Sequence, residues 1–168
     1  MRKGLTLIEL TIVIALFSIL TVAVFWSFTA GLRTWGSGKN RAAIRQDGSL
    51  AIQKMTRELS QAYSIRAANE DEITFWADAA GEEEISFVLE DTALLRKAGS
   101  IETVLTFDAQ TFALSYRDLY DDVMTLPQDT ASQGKRDNIR IVVISLNLNK
   151  GGEAITLSSG VYTRNQGL

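Results

Sequence analysis

Glu9 is the only ionisable side chain between Leu5 and Phe28, a stretch of 24 residues that is otherwise mostly apolar. A carboxylate inside a bilayer costs about 2.5–3.5 kcal/mol by insertion scales, so its presence calls for a partner within the membrane. The other carboxylate groupings suggest weaker chemistry. Asp118, Asp121 and Asp122, with Asp129 further on, form an oxygen-rich segment, and Ca²⁺ takes six to eight oxygen ligands. The usual 12-residue calcium loop is missing, which favours a solvated acidic turn over a weak calcium site. Glu82, Glu83 and Glu84 read as a solubilising hairpin tip. The chain has no histidine and no cysteine. That removes Ser-His-Asp and Cys-His catalysis, ordinary zinc sites and disulfides. Gly31-x-x-x-x-Gly36 lacks the Lys-Ser/Thr of a phosphate loop. A net charge of −3 and the lack of a basic groove beside Trp26, Trp35 and Trp76 argue against nucleic acid. No cofactor and no enzymatic activity are expected.

The element that positions Glu9 is a membrane span. About 20 apolar residues suffice to cross a bilayer as a helix, and Leu5–Phe28 exceeds that. A cleaved secretory signal fits poorly: its apolar core is usually about 7–15 residues, and no small-x-small site follows. Trp26 suits the aromatic belt at the bilayer boundary. Arg2 and Lys3 precede the span, but Arg33, Lys39, Arg41 and Arg45 follow it, so charge alone does not orient it.

Lys3-Gly4-Leu5-Thr6-Leu7-Ile8-Glu9-Leu10 resembles the leader and cleavage box of type IV prepilins and type II secretion pseudopilins. The resemblance implies cleavage after Gly4 by a prepilin peptidase and methylation of the new amino group on Leu5, where the family more often has Phe. Glu9 would become the fifth residue of the mature chain. Its carboxylate would then lie near the positive end of the helix dipole, worth a few tenths to about 1 kcal/mol. It would also share a face with the Leu5 ammonium. The resemblance further implies that Glu9 pairs with the amine of a neighbouring subunit and sets register. It also implies a cytoplasmic N-terminus, a single inner-membrane pass and a periplasmic C-terminal domain.

Beyond the span, glycines at 31, 36 and 38 predict bending or fraying near Gly36–Gly38. Ile52, Met55, Leu59 and Ala62 then recur at helical spacing, extended by Tyr63 and Arg66, predicting an amphipathic helix from Arg41 to about Ala67. Strands are expected at Ile73–Ala77, Glu84–Glu90, Thr92–Lys97, Val104–Asp108, Thr111–Arg117, Ile139–Asn149 and Ala154–Arg164. Asp91-Thr92 and Lys150–Glu153 supply tight turns, and the 104–108 and 111–117 tracts form a pair. The long irregular piece from Asp118 to Asn138 is the expected partner-facing surface. The fold class is α+β: a long N-terminal transmembrane helix with an amphipathic extension packed on a C-terminal antiparallel sheet. The divisions are 1–4 leader, 5–28 span, 29–67 helix extension with a glycine-rich bend, and 68–168 sheet domain.

The amphipathic extension, Asn138–Leu148 and Leu157–Asn165 are similar to J-type minor pseudopilins and related minor pilins. That likeness implies a structural subunit of the tip or initiation complex of a type II secretion pseudopilus. Its partners would be other pseudopilins or pilins through the N-terminal helix, the prepilin peptidase and membrane lipid. The alternatives are a minor pilin of a type IV pilus or competence system, a singly anchored periplasmic ligand-binding domain, and an anchored enzyme.

Overall fold

The computed structural model describes residues 7–125 and 133–163. The chain divides into two compact units, Met1–Lys39 and Asn40–Leu168. Helix α1, Leu7–Gln61, contributes to both. In the first unit the helix passes through Gly31, Gly36 and Gly38 without a break, so the expected fraying does not occur. An isolated glycine costs about 1 kcal/mol, which a helix already formed on both sides absorbs.

In the second unit α1 buries one stripe: Ile44, Gly48, Ala51, Ile52, Met55 and Leu59. The expected positions Ile52, Met55, Leu59 and Ala62 are all buried, and Ile44, Gly48 and Ala51 extend the stripe toward the N-terminus. The helix stops at Gln61, short of the expected Ala67. Ser64–Ala68 is instead strand β1, antiparallel to β2, Glu72–Trp76. Tyr63 and Arg66, on which the longer helix was expected, lie past its end, and β1 carries a register shift between Ile65 and Ala67. The extra residue of a bulge puts side chains three apart on one face. Ile65 and Ala68 are both buried, so a bulged strand carries the spacing of a helix.

Strands β3 (Glu84–Glu90), β4 (Ala93–Ala98) and β5 (Ile101–Thr106) complete a five-stranded antiparallel sheet in the order β1-β2-β3-β4-β5. Asp91, at φ 54°, and Thr92 form the tight β3–β4 connection. Strand β6 (Ala109–Arg117) begins a second sheet, β6-β7-β8, with β7 at Ile141–Lys150 and β8 at Glu153–Tyr162. A four-residue helix, α2 (Gln133–Arg136), precedes β7. The single sheet expected from sequence is therefore two. The anticipated pairing of the 104–108 and 111–117 tracts is replaced by β5 on β4 and β6 on β7. Asp108, at φ 62°, turns the chain between them. β6 gains a longer partner this way, matched from Ala109↔Leu148 to Arg117↔Ile141.

One apolar cluster joins the helix stripe to both sheets through Phe75, Phe87, Leu114, Tyr116, Ile144 and Leu148, among others. β7 alternates as its sequence predicts, burying Val142, Ile144, Leu146 and Leu148. The helix meets the second sheet closely at Gly48, where an added Cβ would press on Leu148 and lie 2.7 Å from Leu157 Cδ1. Tyr116 is fully buried, and its hydroxyl donates to the Asn69 carbonyl at 2.9 Å. Burial, with Asp71 and Glu72 nearby, pushes its phenol pKa up from the ordinary value.

Two outcomes follow for unfolding of the full chain in detergent, monitored by circular dichroism. Gly48→Leu overpacks the helix–sheet contact and destabilises by about 1–3 kcal/mol. The folded Tyr116 pKa lies above the unfolded one, so its contribution is complete below about pH 10 and declines as pH rises toward the folded value. Tyr116→Phe should cost about 1 kcal/mol at neutral pH and flatten the alkaline loss by up to about 1.4 kcal/mol per pH unit.

Candidate functional site

The surface most in need of a partner is the first part of α1. From Leu7 to Phe28 the large apolar side chains point outward all round the helix, with Leu7 81% and Trp26 73% exposed. The described structure contains this one helix long and apolar enough to cross a membrane. Its polar atoms are largely satisfied along the helix itself. Thr11, Ser18, Thr21 and Ser27 each donate a hydroxyl proton to a carbonyl three or four residues back, at 2.8–3.0 Å. Such back-bonding suits a hydroxyl in lipid, where no water is available. The ionisable side chain on this surface is Glu9, exposed in the first helical turn. Gly4 and Leu5 lie outside the described residues.

Glu9 belongs to the first unit, and the other acidic groupings belong to the second. Asp118, Asp121 and Asp122 do lie together, but as the skeleton of a turn. Asp118 Oδ1 accepts the backbone N–H of Tyr120 at 2.8 Å and of Asp122 at 3.0 Å. Asp121 Oδ1 accepts from Arg117 Nη1 at 3.0 Å. Oxygens committed to a turn and a guanidinium do not converge on a cation, and among the described residues no group of three or more carboxylates is placed to hold a metal. In the structure this segment is a hydrogen-bonded acidic turn. Asp129 and Pro127 lie outside the described residues.

The Glu82–Glu84 segment behaves as a hairpin connection. The Asp78 carboxylate caps it by accepting the N–H groups of Glu82 and Glu83 at 3.0 and 3.3 Å. Glu84 pairs with Arg66, whose guanidinium lies 5.3 Å from the Trp76 ring centroid. Trp76 is thus covered by a cation from the adjacent strand, a contact between neighbours across β1 and β2. Sequence reasoning missed this cluster because Arg66 was assigned to a helix.

The family model for the prokaryotic N-terminal methylation motif matches residues 1–25. No curated protein matches the chain. The motif and the α+β architecture together give a pilin-like arrangement: a methylation-motif start on an apolar helix whose later turns pack on antiparallel sheets. More particularly, they support a pilin- or pseudopilin-type subunit, structural in character and suited to single-pass anchoring in the inner membrane. The motif implies processing by prepilin peptidase and assembly with other pilins.

Excess Ca²⁺ should leave the thermal midpoint of the full chain unchanged, whereas a site filled at a hundred times its Kd would add about 2.7 kcal/mol. Asp118→Ala should cost about 1 kcal/mol with or without calcium, through loss of the turn's hydrogen bonds.

Proposed function

We propose that this chain is a minor pseudopilin, a structural subunit of the tip or initiation complex of a type II secretion pseudopilus. Prepilin peptidase cuts after Gly4, Leu5 is methylated, and the N-terminus faces the cytoplasm while the sheet domain lies in the periplasm. The observation that carries this reading is the coincidence of the methylation motif at residues 1–25 with an uncovered apolar helix bearing Glu9 in its first turn. In a bilayer the helix buries its apolar surface in lipid and then against neighbouring subunits. Glu9 meets the terminal amine of an adjacent chain, which rewards one axial register over its neighbours. No group of catalytic type is needed for this work.

Chain recovered from membranes of a cell containing the peptidase should lack Met1–Gly4 and begin with a methylated Leu5, read by intact mass and N-terminal sequencing. Glu9→Ala should insert normally yet enter the assembly about tenfold less, the effect of losing a pair worth about 1.4 kcal/mol. An unprocessed chain beginning at Met1, or normal incorporation of the variant, refutes the reading. Co-purification with secretion pseudopilins assigns the subunit to the secretion system; co-purification with a major pilin assigns it to a pilus.

A further inference from the structure

Toward the end of the first unit the exposed surface of α1 changes character. Phe28, Leu32 and Trp35 recur at spacings of four and three and are 64%, 57% and 79% exposed, so they share one face of the helix. Lys39 follows at a further spacing of four and is exposed too. An apolar track about 16 Å long therefore ends in an ammonium group. At that end lies a cavity of about 560 Å³, lined among the described residues by Trp35, Gly38 and Lys39. Gly38 leaves the space between the two larger side chains open, since an added Cβ there would meet nothing within 4 Å.

The charge in this stretch is unanswered. No Asp or Glu occurs between Glu9 and Asp47, whereas Arg33, Lys39, Arg41 and Arg45 all fall in that interval. None of the four forms an ion pair among the described residues. Position along the helix fixes what surrounds the track. Leu7 to Trp35 covers about 42 Å at 1.5 Å per residue, against about 40–45 Å for a bilayer with its headgroups. Helical side chains lean toward the N-terminus, so the Lys39 stem lies back along apolar surface and its ammonium reaches headgroup level.

We propose that the recess at Trp35, Gly38 and Lys39 holds the headgroup of an anionic phospholipid, with the Lys39 ammonium on a phosphate oxygen and an acyl chain along Leu32 and Phe28. An ammonium donates charge-assisted hydrogen bonds to phosphate, and an indole belongs at the membrane–water interface. The occupant is a lipid because the cation ends an apolar track. A molecule with a charged head and a hydrocarbon chain matches both parts, whereas a soluble anion would use only the first. Arg33 supplies an internal comparison: it carries the same charge but lies about 160° round the helix from Trp35, away from the recess. The inference rests on the helix crossing a bilayer. It does not rest on cleavage after Gly4 or on the pairing of Glu9, so either can fail while it stands.

The test adds bromine-labelled lipid to the full chain in nonionic detergent and reads quenching of Trp35 fluorescence, with Trp26→Phe and Trp76→Phe removing the other indoles. Phosphatidylglycerol brominated on its acyl chain should half-quench at about a tenth of the concentration needed with the matching phosphatidylcholine. Lys39→Gln should cut that preference about fivefold or more. Gly38→Leu should abolish it by filling the recess, with the helical circular dichroism signal kept because Leu is the better helix former. Arg33→Gln, an equal change of charge, should reduce the preference far less than Lys39→Gln does. A large excess of inorganic phosphate should leave it unchanged. Equal quenching by the two lipids overturns the proposal, as do equal losses in the Arg33 and Lys39 variants, the mark of general attraction to a negative surface. Displacement of the lipid by inorganic phosphate overturns it too, and so does shielding of Trp35 that grows with protein concentration, as a second copy on this face would produce.

Discussion

An apolar helix surface left exposed among the described residues is the constraint on which the rest depends. Between Leu7 and Phe28 side chains face outward in every direction, and water would make each of them costly by roughly 1.5–3 kcal/mol relative to burial. The backbone meets its own needs as a helix, and the hydroxyls bond to it. A segment with its hydroxyls bonded along the helix and its apolar side chains exposed suits lipid or a face of similar helices. The methylation motif falls on the same residues, so the chemical signal and the physical one reinforce each other.

The second half of α1 solves a different problem with the same geometry. Its face narrows to the stripe from Ile44 to Leu59, against which two sheets assemble a single core. No disulfide supports this domain, because the chain has no cysteine, so close packing carries the burden. Gly48 permits the approach of Leu148 and Leu157, and the Glu58–Arg96 pair ties helix to strand at the rim. Tyr116 shows how polar atoms are kept inside: one hydrogen bond to the Asn69 carbonyl joins the end of β6 to the turn after β1.

Wherever one period repeated without interruption, the structure was legible from the residues. The burial of Ile52, Met55 and Leu59, the β3 tract and the alternating face of β7 all follow from spacings of 3.6 or 2. Legibility failed where a local irregularity imitated the other period or redirected the chain. Tyr63 and Arg66 continued the helical spacing past Gln61, where the chain turns into β1, and the positive φ of Asp108 separated two tracts that looked like a hairpin. The Asp118–Asp122 cluster left a turn and a weak calcium site both open for a related reason. Carboxylates close in sequence resemble ligands until hydrogen bonding shows which oxygens a turn has already taken.

By itself, then, the order of residues determined the apolar stem, its single acid near the start, the class of motif it carries and the α+β character. These depend on composition and on neighbours within a few residues, where periodicity and desolvation act locally. Only the tertiary structure decided that there are two sheets, that Gly48 lies under leucines of β7 and β8, that Arg66 covers Trp76, and that Leu119 and Tyr120 stand outward. Each of those results from contacts between residues distant along the chain. Such contacts are selected by which strand offers the longer register and which side chain fills the remaining space, and no short window of sequence contains that information.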